Sequence, residues 1–160
     1  MSTLTWSDAF VLQQPLMDAT HVEFVDLLAQ AEAALTLAEP ELLARFEALV
    51  AHTALHFAQE DRWMAATGFA PENCHAFQHQ AVLGVMQECA KRAREVGNFE
   101  PLRMAVKELA TWFPQHAQKM DAALAEHMAA IGYDPTTGRS EIVVADAARI
   151  AGCASSSCAG

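Results

Sequence analysis

Residue types that commonly bind metal ions recur at helical spacing along this sequence. His56 and Glu60 stand four residues apart in the segment HFAQE, and two histidines have the same spacing in HAFQH. The segment HAQKMD separates its histidine from its aspartate by five residues. Residues four apart lie on one face of an α-helix, and we expect the two residues five apart to share a face more loosely. With one histidine nearer the N-terminus, the candidate ligands are His21, His56, Glu60, His75, His79, His116 and Asp121.

Predicted turns bring these groups to one level of a helical bundle. Residues that lie level with each other in an antiparallel hairpin are equally distant from its connecting loop. Because three pairs of histidines satisfy this condition, we predict that side chains from four helices converge on one site. The pairs are His21 and His56 about Glu39-Pro40, His56 and His79 about Thr67-Gly68, and His79 and His116 about Gly97-Asn98.

Metal ions explain why so many titratable groups would be buried together. Without partners, each group would cost on the order of several kcal/mol. Five imidazoles and two carboxylates exceed the ligands of one tetrahedral zinc, whereas two ions bridged by the carboxylates use them all. Imidazole with carboxylate suits iron, and manganese or zinc stay compatible. The ferritin-like pattern needs two Glu-x-x-His motifs, and only Glu72 to His75 has that spacing, so oxygen binding or redox chemistry is favoured over iron storage.

Four long helices must position the candidate ligands. Proline and glycine predict helices over about residues 18–37, 40–66, 72–96 and 101–131. Pro114 lies inside the fourth helix and predicts a kink or a division there. Because the connections are short, the predicted fold is all-α, an up-down-up-down antiparallel four-helix bundle.

The predicted bundle domain covers residues 1–134, with residues 1–17 as an N-terminal arm folded over it. Residues 135–160 are expected to form a flexible C-terminal tail, which contains Cys153 and Cys158. The four cysteines do not form the framework of a small secreted protein.

Composition bounds the expected partners. Ten basic and twenty acidic residues give a formal net charge of −10, which disfavours nucleic acid and anionic membranes as partners. No basic segment followed by an apolar run opens the chain, and no apolar stretch of about 20 residues occurs. We therefore expect a soluble, cytoplasmic protein, and the sequence identifies no protein partner.

The segments TWSDAF, MDATHVEF, HFAQED, HAFQH and WFPQHAQKMD resemble the hemerythrin family, specifically its bacterial members, over about residues 5–131. The resemblance implies two iron ions, Fe2+ or Fe3+, in a non-heme centre with a bridging oxo or hydroxo group. It also implies the ligands: His75, His79 and His116 on one iron, His21 and His56 on the other, and Glu60 and Asp121 as bridges.

The resemblance further identifies the walls of an oxygen pocket. Phe57, Trp112 and Phe113 match the aromatic residues of the family's pocket. Ala117 replaces a bulkier aliphatic residue, which predicts a looser pocket. His52 matches no ligand of the family, and we interpret it either as a support for the ligands or as a partly exposed histidine.

The function implied by the resemblance is reversible dioxygen binding by a carrier, buffer or store that is not an enzyme. Two alternatives stay open. One is a sensor of oxygen, nitric oxide or redox state, and a tail with two cysteines would suit such a sensor. The other is a di-iron peroxidase or oxidase. Slow autoxidation would indicate a carrier, and fast autoxidation a sensor or an enzyme.

Overall fold

A computed structural model describes residues 4–69 and 74–142, which form a four-helix bundle without strands. Helix α1 spans Pro15–Ala34, α2 Glu39–Thr67, α3 Cys74–Val96 and α4 Glu100–His116. A π-helical turn at Ala117–Asp121 joins α4 to α5, Ala122–Ala130, so these three elements make up the fourth helix of the bundle. The predicted fold class is confirmed.

Packing between successive helices closes the bundle. Each of the first three helices packs against the next, and α1 also packs against α4. The short connections at residues 35–38 and 97–99 reverse the direction of the chain, as the antiparallel arrangement requires. Arg103 of α4 donates a 2.7 Å hydrogen bond to the carbonyl of Leu35, just beyond α1, which ties the first and fourth helices together. None of the helices in the described residues combines the length and hydropathy of a membrane span.

Local hydrogen bonds determine where α1 begins. The Met17 N–H donates to the side chain of Gln14 at 2.9 Å, and the Leu12 N–H donates to the Asp18 carboxylate at 2.8 Å. Since the first amides of a helix have no partner inside it, the contact from Met17 stabilises the start of the helix. The contact from Leu12 ties the preceding segment to the first turn. The helix therefore begins at Pro15, earlier than predicted, and Pro15 suits a first helical position because it lacks an N–H.

The N-terminal arm covers one side of the bundle. Phe10, in a short 3-10 turn at Asp8–Phe10, is buried with its ring centroid 6.4 Å from that of Phe113. At the other end of the chain, the Glu141 N–H donates to the carbonyl of Ile131 at 3.1 Å. The rest of the predicted tail, residues 143–160, lies outside the described residues, as do the predicted first two residues of the third helix.

The sequence predicted a kink or a division at Pro114, and the helix is not divided at that residue. Pro114 lies inside α4, which continues to His116. A proline removes one backbone donor, but here the helix continues, and its irregularity follows as the π-helical turn. In that turn the Ala122 N–H donates to the carbonyl of Ala117, five residues back instead of four.

Two apolar clusters fill the bundle on either side of a polar level. On α1, for example, His21 lies between Met17 of one cluster and Phe24 of the other. The polar level is therefore enclosed by apolar side chains at both ends. The larger cluster includes Phe24, Leu28, Phe46, Leu49, Leu102 and Phe113. The smaller cluster includes Met17, Trp63, Met64, Leu124 and Met128.

Candidate metal centre

All seven side chains singled out in the sequence meet at the polar level of the bundle. Each is at most 2% exposed. They form two groups that share both carboxylates, and within each group the potential ligand atoms lie within 4.8 Å of one another. The three-histidine group contains His75, His79, His116, Glu60 and Asp121. The two-histidine group contains His21, His56, Glu60 and Asp121.

Glu60 presents one oxygen to each group. Its Oε1 lies 3.0 Å from Nε2 of His56 and 3.5 Å from Nε2 of His21. Its Oε2 lies 3.3 Å from Nε2 of both His75 and His79. A carboxylate with this orientation has the geometry needed to bridge two ions.

Asp121 repeats the arrangement from the opposite helix. Its Oδ2 lies 3.1 Å from Nε2 of His21, while Oδ1 lies 2.9 Å from Nε2 of His75 and 3.1 Å from Nε2 of His116. In an ordinary α-helix, residues five apart would point about 140° away from each other. The π-helical turn takes up the extra residue, so Asp121 returns to the face that His116 occupies.

Unpartnered polar atoms test whether the site fits metal ions. A buried polar atom without a partner costs about 1–3 kcal/mol. The ring nitrogens and carboxylate oxygens lie close together, yet many of these atoms do not have the geometry of a hydrogen bond. This is expected if the atoms are directed at metal ions that would lie between them. The donor set is imidazole and carboxylate, which suits iron, manganese and zinc. The unpartnered atoms within the described residues include both ring nitrogens of His21 and His75, Oε2 of Glu60 and both carboxylate oxygens of Asp121.

When no metal ion is bound, protonated histidines balance the negative charge of Glu60 and Asp121. Burial alone lowers the pKa of His21, but contacts with Asp121 and Glu60 raise this pKa to about 10. The same opposing effects raise the pKa of His75 to about 9. Burial raises the pKa of each carboxyl group, yet nearby histidines hold both pKa values well below their usual range. Metal ions would replace protons that His21 and His75 otherwise carry.

Two of the histidines are held from behind by side chains that the sequence prediction missed. His79 Nδ1 donates to Oδ1 of Asp61 at 2.8 Å, and His116 Nδ1 donates to Oε1 of Gln78 at 3.1 Å. Asp61 follows Glu60 in the chain, and Gln78 precedes His79. In the sequence, these two side chains could have been identified as polar residues directly next to a candidate ligand on a helix.

The predicted pocket aromatics lie beside histidines of both groups. Phe57 stacks on His79 with ring centroids 4.0 Å apart, and Trp112 stacks on His116 at 4.4 Å. Phe113 instead meets His21 edge-on at 5.2 Å. Phe57 also lies beside the two-histidine group, because its ring centroid is 5.4 Å from that of His56.

Phe24 completes the wall beside the two-histidine group, and the sequence prediction missed it. Its ring stacks on Phe113 at 4.5 Å and lies 6.3 Å from the ring of His56. Its position three residues after His21, on the same helix face, was the available signal. Ala117 is fully buried in the same apolar cluster as Phe24 and Phe113.

Two further histidines lie outside both groups. His52 Nε2 is 3.1 Å from the carboxylate of Glu23, and its ring centroid is 6.0 Å from that of His56. A role for His52 in supporting the ligands stays a prediction. His127 Nε2 donates to the carbonyl of Thr67 at 2.9 Å, a contact between α5 and the end of α2.

Comparison with known proteins gives a consistent result. The profile of the Hemerythrin HHE cation binding domain matches residues 14–127. A bacteriohemerythrin from Ralstonia nicotianae is 36% identical over 134 residues, which cover 84% of this chain and 95% of the relative. A bacteriohemerythrin from Methylococcus capsulatus is 24% identical over 123 residues, which cover 76% and 93% respectively. No solved structure matches the chain with comparable significance.

Proposed function

Because the chain belongs to the hemerythrin family, we propose that it binds dioxygen reversibly at a di-iron centre, as a carrier, buffer or store. The observation that carries this proposal is the pair of groups that share two carboxylates. In this proposal the carboxylates bridge the irons together with an oxo or hydroxo group. The proposed ligands are His75, His79 and His116 for one iron, His21 and His56 for the other, and Glu60 and Asp121 for both.

The unequal number of histidines supports a binding position for a small molecule. The three-histidine group offers one imidazole more than the two-histidine group. With equal coordination numbers, the ion in the two-histidine group keeps one position more for an external ligand. When bound, the iron pair would supply the electrons and the vacant position that reversible dioxygen binding requires.

The residues around the two-histidine group favour an apolar ligand. Phe24 and Phe113 form a stacked apolar wall beside His21 and His56. Apolar surroundings exclude water and the protons that it carries, and reversible oxygen binding depends on that exclusion. Dioxygen is small and apolar, so it can enter where a charged or strongly hydrated ligand cannot.

An absorption spectrum of the purified protein tests the proposal directly. The protein is analysed for metal, reduced without air, exposed to oxygen and then flushed with an inert gas. We expect about two irons per chain and a spectrum that returns to the reduced form over repeated cycles. Zinc or manganese in place of iron, or irreversible oxidation in the first cycle, would overturn the proposed carrier. Turnover of peroxide or of an organic substrate would favour the enzyme alternative.

A further inference from the structure

We propose that Asp61 makes the two metal positions unequal, so that the three-histidine group binds its ion first and holds it more tightly. The inference rests on the proposed di-iron function and deepens it, since it assigns an order of loading to the two positions. Asp61 is a positioning residue in this proposal, because it would act on the metal through His79 and has no place in either group of ligand atoms.

The contact between Asp61 and His79 determines how this imidazole can bind a metal. Asp61 Oδ1 accepts the hydrogen bond from His79 Nδ1 at 2.8 Å, so the proton must be on Nδ1. Nε2 is then free to donate its lone pair towards the centre of the site. A carboxylate behind a histidine also raises the electron density of the ring and fixes its orientation, both of which strengthen metal binding.

The other histidines of the site lack such a partner. His116 Nδ1 donates to the neutral amide oxygen of Gln78, which orients the ring without adding a charge. Within the described residues, Nδ1 of His21, His56 and His75 has no hydrogen-bond partner. Both anchored rings therefore belong to the three-histidine group, and neither belongs to the two-histidine group. The number of imidazoles and their anchoring favour the same position.

The place of Asp61 in the fold suits this role. It lies on α2 directly after Glu60, so a continuous helix fixes its backbone beside a shared carboxylate. Its side chain is 42% exposed, whereas that of His79 is 1% exposed. The carboxylate therefore stays in contact with solvent while it holds a buried ring.

Titration of the metal-free protein with Co2+ tests the inference without reference to oxygen. Co2+ accepts the same imidazole and carboxylate ligands, and its visible absorption reports each bound ion. The parent protein should bind two ions in two steps. Asp61→Ala should weaken the tighter step by about 10–100-fold and leave the second step unchanged. Asp61→Asn, whose amide oxygen still accepts the hydrogen bond from His79, should weaken the tighter step by less.

A matched control uses the other histidine–carboxylate pair near the site. Glu23→Ala removes a carboxylate 3.1 Å from His52, which belongs to neither group, and should leave both steps unchanged. The inference is overturned if Asp61→Ala titrates like the parent, or if either Asp61 variant weakens both steps equally. If Asp61→Ala does not fold, Asp61→Asn decides by the same criterion. A parent protein that binds fewer than two Co2+ ions would instead count against the proposed di-iron centre.

Discussion

Two buried histidines, His56 and His127, allow the metal site to be separated from the stability of the bundle. They are 2% and 7% exposed, respectively. His127 donates its hydrogen bond to the carbonyl of Thr67, the last residue of α2. The last carbonyls of a helix have no partner inside it, so His127 satisfies an acceptor that would otherwise stay unpaired. His56 instead directs Nε2 at Glu60, within the two-histidine group.

Removing the hydrogen bond from His127 should lower stability without loss of metal. An unpaired buried carbonyl costs about 1–3 kcal/mol. For a chain of this size, each kcal/mol corresponds to about 2–4 °C in melting temperature. His127→Ala should therefore lower the melting temperature by about 2–12 °C, or somewhat more because of the cavity it leaves. His127→Phe, which keeps a ring without the N–H, isolates the contribution of the hydrogen bond.

Circular dichroism melts of the iron-loaded and iron-free proteins, with iron analysis, are the assay. His127→Ala should lower both melts by the same amount and keep the iron content of the parent. His56→Ala should lose iron, and the difference between its loaded and free melts should shrink. Iron loss in His127→Ala, or full loading in His56→Ala, would contradict this reasoning. An unchanged melting temperature in His127→Ala would show that the contact with Thr67 contributes nothing.

Three further predictions concern pH, a helix end and the pocket. In the iron-free protein, His21 and His75 have pKa values raised to about 10 and about 9 from 6.5. The stability they contribute is complete below about pH 6.5 and is lost as pH rises through those values, so urea midpoints should fall between pH 6 and pH 10, and less so with iron bound. Arg103→Ala should cost about 1–3 kcal/mol in urea unfolding, because it removes the donor to Leu35. Ala117→Leu should cost about 1–3 kcal/mol of stability by overpacking. The same variant should slow the decay of the oxygenated absorption band in stopped-flow measurements, because the larger side chain displaces water from the pocket. Decay as fast as in the parent would show that Ala117 does not control the access of water to the site.

The fold could be predicted from the sequence because its signals are local. Proline and glycine mark the connections, as at Pro40, which lies in the first turn of α2, and at Gly68, which follows α2 with a φ of 69°. The spacing of histidines about those connections then predicted which side chains meet. That reasoning requires long helices joined by short turns, and the described connections at residues 35–38 and 97–99 are short.

The features that the sequence did not predict depend on side-chain direction and backbone detail. The five-residue spacing of His116 and Asp121 fits an ordinary α-helix poorly, but the spacing alone does not predict that a π-helical turn brings both residues to one face. Asp61 contacts the site through His79, which lies on the neighbouring helix α3. A residue next to a ligand on a helix points about 100° away from it, so its contact depends on the adjacent helix.

The π-helical turn also means that the fourth helix carries one spare residue. An ordinary α-helix would need only four residues to bring an aspartate back beneath His116. Deleting the exposed Lys119 should therefore let the turn close to ordinary α-helical geometry, with Asp121 still facing the site and the direction of α5 retained. Deleting the exposed Lys107 from α4 should instead rotate all later residues by about 100° and turn Asp121 away. The same one-residue deletion should thus be tolerated in the π-helical turn and should disrupt the site from within α4, and metal binding by the two deletion variants would show the difference.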